Sequence, residues 1–201
     1  MSFNIGKLQV KISFFFTLVL ALIILFDTGF VLESFLAVCA HEGAHLLCML
    51  VCGASAQAVR FEAFGILIER GEDALSFGKN IMIMLSGCAW NLVLFCALFC
   101  VYLRDGSQVL SRFALINLAL FFINILPVTG LDGGAVLSAV LTRKYGEENG
   151  LNKANIASIM TCAFVFVSGM ILSFKVRFNL SLCAFSLYLF FCTLTKTRLN
   201  D

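Results

Sequence analysis

Residues 31–51 read VLESFLAVCAHEGAHLLCMLV, and the meaning of this run decides what kind of protein the chain is. As a helix it measures about 32 Å, enough to cross the roughly 30 Å hydrocarbon core of a bilayer. Beyond Glu33 and Ser34 near its start, its strongly polar side chains are His41, Glu42 and His45. An ionisable group at membrane depth costs about 2.5–3.5 kcal/mol on insertion scales, so three within five positions need a physical reason. Residues four apart on a helix lie about 40° from one another, so both imidazoles can address one tetrahedral metal while Glu42 stands a step round, beside the open coordination position. Two imidazoles and a neighbouring carboxylate are the parts of a metal-activated water: the ion lowers the pKa of the water towards about 7 and the glutamate takes its proton. A chance His-Glu-x-x-His on a polar helix is the alternative, and the apolar setting argues against it. His41 and His45 are the only histidines of the chain.

The rest of the composition agrees with a membrane setting. Hydrophobic residues make up 61% of the 201 positions and charged residues 13%, where soluble domains hold about 45–50% apolar residues. A net charge of +2 gives no footing for a nucleic-acid partner. The nine cysteines fall within apolar runs without paired spacing in a loop, so they read as packing residues rather than a disulfide framework. Cys48 and Cys52, although at helical spacing after His45, are read the same way.

Apolar segments of spanning length lie near 10–26, 30–52, 80–103, 111–129, 155–174 and 178–195. The first follows Lys7 and Lys11 like a signal peptide, but no small-x-small cleavage pattern follows Phe26, so it is expected to be a retained span. With the N-terminus inside, ten of the fourteen basic residues fall on the cytoplasmic side, and the positive-inside rule then puts both termini in the cytoplasm.

Two histidines leave a catalytic zinc one protein ligand short. Asp132 is the best donor, in Asn124-Ile-Leu-Pro-Val-Thr-Gly-Leu-Asp-Gly-Gly134, where the only proline, Pro127, and three glycines interrupt an apolar helix. Backbone groups freed at membrane depth are tolerated where they are buried in protein or line a polar cavity, so this segment belongs at the active site. A helix-capping role is the alternative for Asp132. Asn124, eight residues earlier, shares the same side if the break does not rotate it away, and would contact substrate or a developing oxyanion. Asn91 in the third span reads likewise, and for both an interhelical hydrogen bond is the competing role. Between the second and third spans, Val59, Phe61 and Ala63 alternate with Arg60 and Glu62, and Gly65 offers a turn into Ile66-Leu67-Ile68, a two-strand pattern. An unwound substrate segment pairing with such a strand would expose its scissile carbonyl.

His41-Glu-x-x-His45 in the second span, and Asn124-x-x-Pro127 leading to Leu131-Asp132-Gly133 in the fourth, resemble the site-2 protease family of intramembrane zinc metalloproteases, in particular the compact bacterial branch that includes stage IV sporulation protein FB. The resemblance implies a six-helix core, one zinc per chain held by His41, His45 and Asp132, Glu42 as catalytic base, a membrane-associated sheet after the second span, and cleavage of membrane proteins within or next to their transmembrane segments. It departs from the family at Gly87-Cys88-Ala89-Trp90-Asn91, where members often carry a Gly-Pro pair. The short joints are expected to leave no room for a PDZ or CBS domain, so regulation would come from a membrane partner or from substrate supply.

The expected architecture is therefore an all-α polytopic membrane protein, about six transmembrane helices with a short membrane-associated β-hairpin between spans 2 and 3, in one integral-membrane domain over residues 1–201 of a bacterial cell membrane. The expected activity is that of a zinc metalloendopeptidase. A membrane zinc transporter and a non-proteolytic scaffold are the alternatives; a carrier would spread its ligands along a path and would need no base beside an open metal position.

Overall fold

The computed structural model describes residues 2–5, 8–12, 29–54, 56–62, 65–70, 75–175, 184–185, 187–191 and 193. These fall into two compact units, residues 1–122 and 123–201.

In the first unit, α1 runs from Phe30 to Cys52 and α2 from Phe77 to Asp105. Both are long and apolar enough to cross a membrane. α1 stops at Gly53, whose φ of 73° returns its amide to Leu50 O, a left-handed closure that suits a residue without a β-carbon. Lys79 Nζ, from the first turn of α2, donates to Cys52 O at 2.9 Å, so an orphan carbonyl of the last turn of α1 meets a cation. Met49, Cys52, Ala54 and Ile83 pack into a buried cluster with Cys48 and Leu75 against it. The ionisable Glu33 near the start of α1 is paired with Arg112 at 3.0 Å.

The same unit contains a four-stranded sheet: β1 (Ser2–Ile5), β2 (Leu8–Ile12), β3 (Ala56–Glu62) and β4 (Gly65–Arg70), in the order β1-β2-β3-β4. β3 and β4 are antiparallel with Val59 opposite Ile68 and Phe61 opposite Ile66. β2 lies parallel to β3 with Val10 opposite Val59. This enlarges the short hairpin expected from sequence and corrects the start of the expected first span. Leu8, Val10 and Ile12 alternate with Gln9 and Lys11, a period of two that pairs as strand. Residues 13–28 lie outside the described residues, as does most of the segment expected to span 178–195.

α3 covers Gln108–Asn124, shorter than the expected 111–129 span. Its helix ends ahead of Pro127, whose missing N–H and ring clash break the ladder. In the second unit the chain turns through residues 125–131, with Gly130 at φ 108°, and enters α4 (Asp132–Tyr145), a helix absent from the expected list of spans. α5 follows over Glu147–Lys175, and its Glu147–Ile171 part is the third described helix able to cross a membrane. The backbone freed by the break is satisfied within this unit: Thr129 N–H donates to Ser158 Oγ at 2.9 Å, and Thr129 Oγ1 donates to Asn155 Oδ1 at 3.3 Å. A β-carbon on Gly133 or Gly134 would run into the backbone of Ile125 or of Val128, so the Gly-Gly pair lets the turn segment lie directly on the first turn of α4. Val128, Cys162 and Leu189 form the buried core behind it.

Candidate metal centre

The helical period of α1 puts His41 and His45 on one buried face, 5% and 8% exposed. Their Nε2 atoms converge to 3.3 Å with the rings edge to face at 82°. The other nitrogen of each ring is held by α2. His45 Nδ1–H donates to Ile83 O at 2.7 Å, with Ser86 Oγ 3.2 Å away and itself donating to the same carbonyl at 2.8 Å. His41 Nδ1 faces Asn91 Nδ2 at 3.0 Å. Asn91 is fully buried, and of the two roles read from sequence, substrate contact and interhelical hydrogen bond, the contact to His41 is of the second kind.

Gly87 closes the pair from below. A β-carbon there would sit 2.7 Å from His41 Nε2 and collide with His45 Nε2 as well. This cradle, with two Nε2 atoms aimed at a common point and both Nδ1 atoms tied back, fits a divalent ion that favours imidazole. Glu42 follows on α1 and is half-buried. Alongside the pair, α1 and α2 form an open apolar groove of about 480 Å³ lined by Ala44, Leu47, Ser86, Trp90 and Val93 among others.

Asp132, in the second unit, is the first residue of α4. The cap position belongs to Leu131, in extended backbone, with no side-chain cap bond. Asp132 therefore does not occupy the capping position considered from sequence. It borders a cavity of about 330 Å³ with Thr129, Ser138 and Asn155 among its walls, a more polar space than the one beside His45. Asn124 ends α3, half-buried. Helix is interrupted between Asn124 and Asp132, so the two-turn spacing does not put them on a common helix face. Sequence reading named neither Ser86 as a partner of His45 nor Gly87 as the floor of the pair; a small residue inside an apolar helix carries no signal until the facing helix is known.

The model of Peptidase family M50 matches residues 104–168, which include the helix break and Asp132 but not the histidine pair. A Synechocystis sp. (strain ATCC 27184 / PCC 6803 / Kazusa) protein named "Putative zinc metalloprotease sll0528" is 30% identical over 120 residues, 57% of this chain and 32% of that protein. The chain thus spans about a third of the length of that curated relative. The solved site-2 protease from Methanocaldococcus jannaschii superposes with a TM-score of 0.68 at 20% identity, covering 97% of this chain and 94% of that one. Residues 104–168 are thus similar to Peptidase family M50, and the chain shares the fold of the solved Methanocaldococcus jannaschii protein.

Proposed function

We propose that this protein is an intramembrane zinc metalloprotease that hydrolyses peptide bonds within or next to the transmembrane segments of other membrane proteins. The observation that carries the reading is the buried His41–His45 pair, with convergent Nε2 atoms and a glycine where any side chain would intrude. Asp132 supplies the third ligand to one zinc per chain, an imidazole and carboxylate set that suits zinc. Bound zinc would contribute Lewis acidity towards water and towards a peptide carbonyl. Glu42 takes a proton from the attacking water and returns it to the leaving nitrogen, so one water is consumed and one C–N bond is broken. Asn124 steadies the substrate carbonyl. The apolar groove beside His45 accepts substrate side chains.

The chain works as a multi-pass protein of a bacterial cell membrane with both termini cytoplasmic, in a single integral-membrane domain, and a regulatory membrane partner supplies the control. The sheet lies against the membrane and receives the unwound substrate on its free edge. A zinc carrier is disfavoured because the two imidazoles share one face of α1 with the Glu42 carboxylate next in the chain, instead of being spread along a path.

The deciding experiment compares new protein termini in membranes from cells expressing wild type or Glu42→Gln at matched levels. Both forms are expected to retain zinc, and turnover is expected to fall by about 10²–10⁴-fold, the range of a lost general base. Termini inside or bordering apolar spans, present only with wild type, are the supporting result. Equal termini from both forms would overturn the role of Glu42. Zinc flux unchanged by the substitution would favour the carrier.

A further inference from the structure

A carbonyl oxygen only accepts hydrogen bonds, so Ile83 O, 2.7 Å from His45 Nδ1, settles the tautomer of His45: the proton is on Nδ1 and the lone pair on Nε2. The partner at His41 Nδ1 does not by itself fix the tautomer of that ring. Its Nδ1 faces the side-chain amide of Asn91, and an amide can present either a donor or an acceptor at the same place. With Nδ2 towards the ring, the amide donates, His41 Nδ1 accepts, and Nε2 must carry the hydrogen. That arrangement is self-consistent without a metal, because His41 Nε2–H then points at the Nε2 lone pair of His45 at 3.3 Å. It is incompatible with His41 binding an ion through Nε2. Asn91 Oδ1 meanwhile is buried and makes no hydrogen bond, so reversing the amide forfeits none at that atom. The reversed amide puts its oxygen on His41 Nδ1–H and turns the Nε2 lone pair of His41 towards that of His45. Two lone pairs at such a distance repel one another unless a cation lies between them.

We infer that Asn91 is the positioning residue of the metal centre, an amide that reverses as metal enters: it donates to His41 in the metal-free chain, and accepts from His41 Nδ1–H when Nε2 is a ligand. Carbonyl and carboxylate partners on the outer nitrogens of metal-bound histidines fix ring orientation and raise ligand basicity, and losing one costs about 10–100-fold in affinity. The inference rests on the metal-centre reading above, and the test separates the two.

Zinc affinity is measured by chelator competition on the full chain in detergent, for wild type, Asn91→Asp and Asn91→Leu, together with thermal unfolding of each metal-free form. Asn91→Leu keeps the volume and the apolar helix contact but has neither donor nor acceptor; its affinity is expected to fall about 10–100-fold with metal-free unfolding little changed. Asn91→Asp can accept and is expected to bind at least as tightly as wild type. A purely structural asparagine would make Asp as poor as Leu, and that result overturns the acceptor role. Equal affinity of Asn91→Leu and wild type overturns the inference while leaving the centre standing, whereas a wild type that takes up no zinc overturns the centre itself. Should Asn91→Leu fail to fold, imidazole ¹⁵N spectra of the wild type decide: protonation of His41 moving from Nε2 to Nδ1 on zinc addition supports the reversal, and an unmoved proton refutes it.

Discussion

At Gly87 the two imidazoles occupy the space a β-carbon would need, with His41 Nε2 2.7 Å from its position. Gly87→Ala is therefore expected to push α2 off α1 or rotate a ring, at the roughly 1–3 kcal/mol typical of overpacking, and to lower zinc affinity about 10–100-fold. Gly43→Ala is the matched control, because nothing lies within 4 Å of its β-carbon position. Metal content after equilibration against buffered zinc reads both, and equal retention would show that the cradle has more room than its geometry allows. The difference between these glycines also marks what could be read from sequence. His41, Glu42 and His45 announce themselves, because three ionisable groups in an apolar run demand a partner. Gly87 and Ser86 do not, because their significance lies on another helix. Asn91 stood between, visible as a buried amide but with its partner unnamed.

Among the elements, α1 was legible to the residue and α2 to within three, its helix running from Phe77 to Asp105 around the expected 80–103, since an apolar run of spanning length leaves few choices. α4 was not. It opens on Asp-Gly-Gly and closes on Arg143-Lys144-Tyr145, so it lacks the hydropathy of a span, and it is made a helix by packing on α5, where Gly150 lies against the backbone of Thr142. β2 was hidden for a different reason. Its parallel partner is 49 positions away, Val10 against Val59, and such a pairing leaves no local mark beyond a five-residue alternation. The strand order also refines the substrate-addition idea. β3 is enclosed by β2 and β4, so among the described strands β4 offers an open edge next to the hairpin. A proline at an outward-facing amide within Gly65–Arg70 is expected to slow cleavage several-fold with zinc retained, because it removes a donor from that edge. Proline in β3 is expected to disrupt the sheet itself. Cleavage assays with parallel zinc measurement check both, and unchanged cleavage with the β4 variant would remove the sheet from substrate binding.

For the whole molecule, the open matter is orientation in the bilayer. Arg143, Lys144 and Lys153 gather around the α4–α5 joint, where Lys153 Nζ stands 3.2 Å from the Tyr145 ring centroid. A hydrogen bond from Lys144, with the charges of Lys144 and Lys153, holds the Tyr145 phenol below its usual range. Glu147 and Glu148 share this joint, but acidic residues count little in the positive-inside rule, so the proposed orientation puts the joint on the cytoplasmic face. A reporter placed in this joint is expected to read cytoplasmic, as is one fused after Asp201; an external reading at either would overturn the proposed orientation. The contact at Gly87 has a further consequence at this scale. With no slack between Gly87 and the rings of α1, the spacing of the two helices is set at the imidazoles. A helix tilts at fractions of a kcal/mol per Å of mismatch with its bilayer, and at a contact without slack such a tilt of α2 against α1 would reach the two imidazoles first.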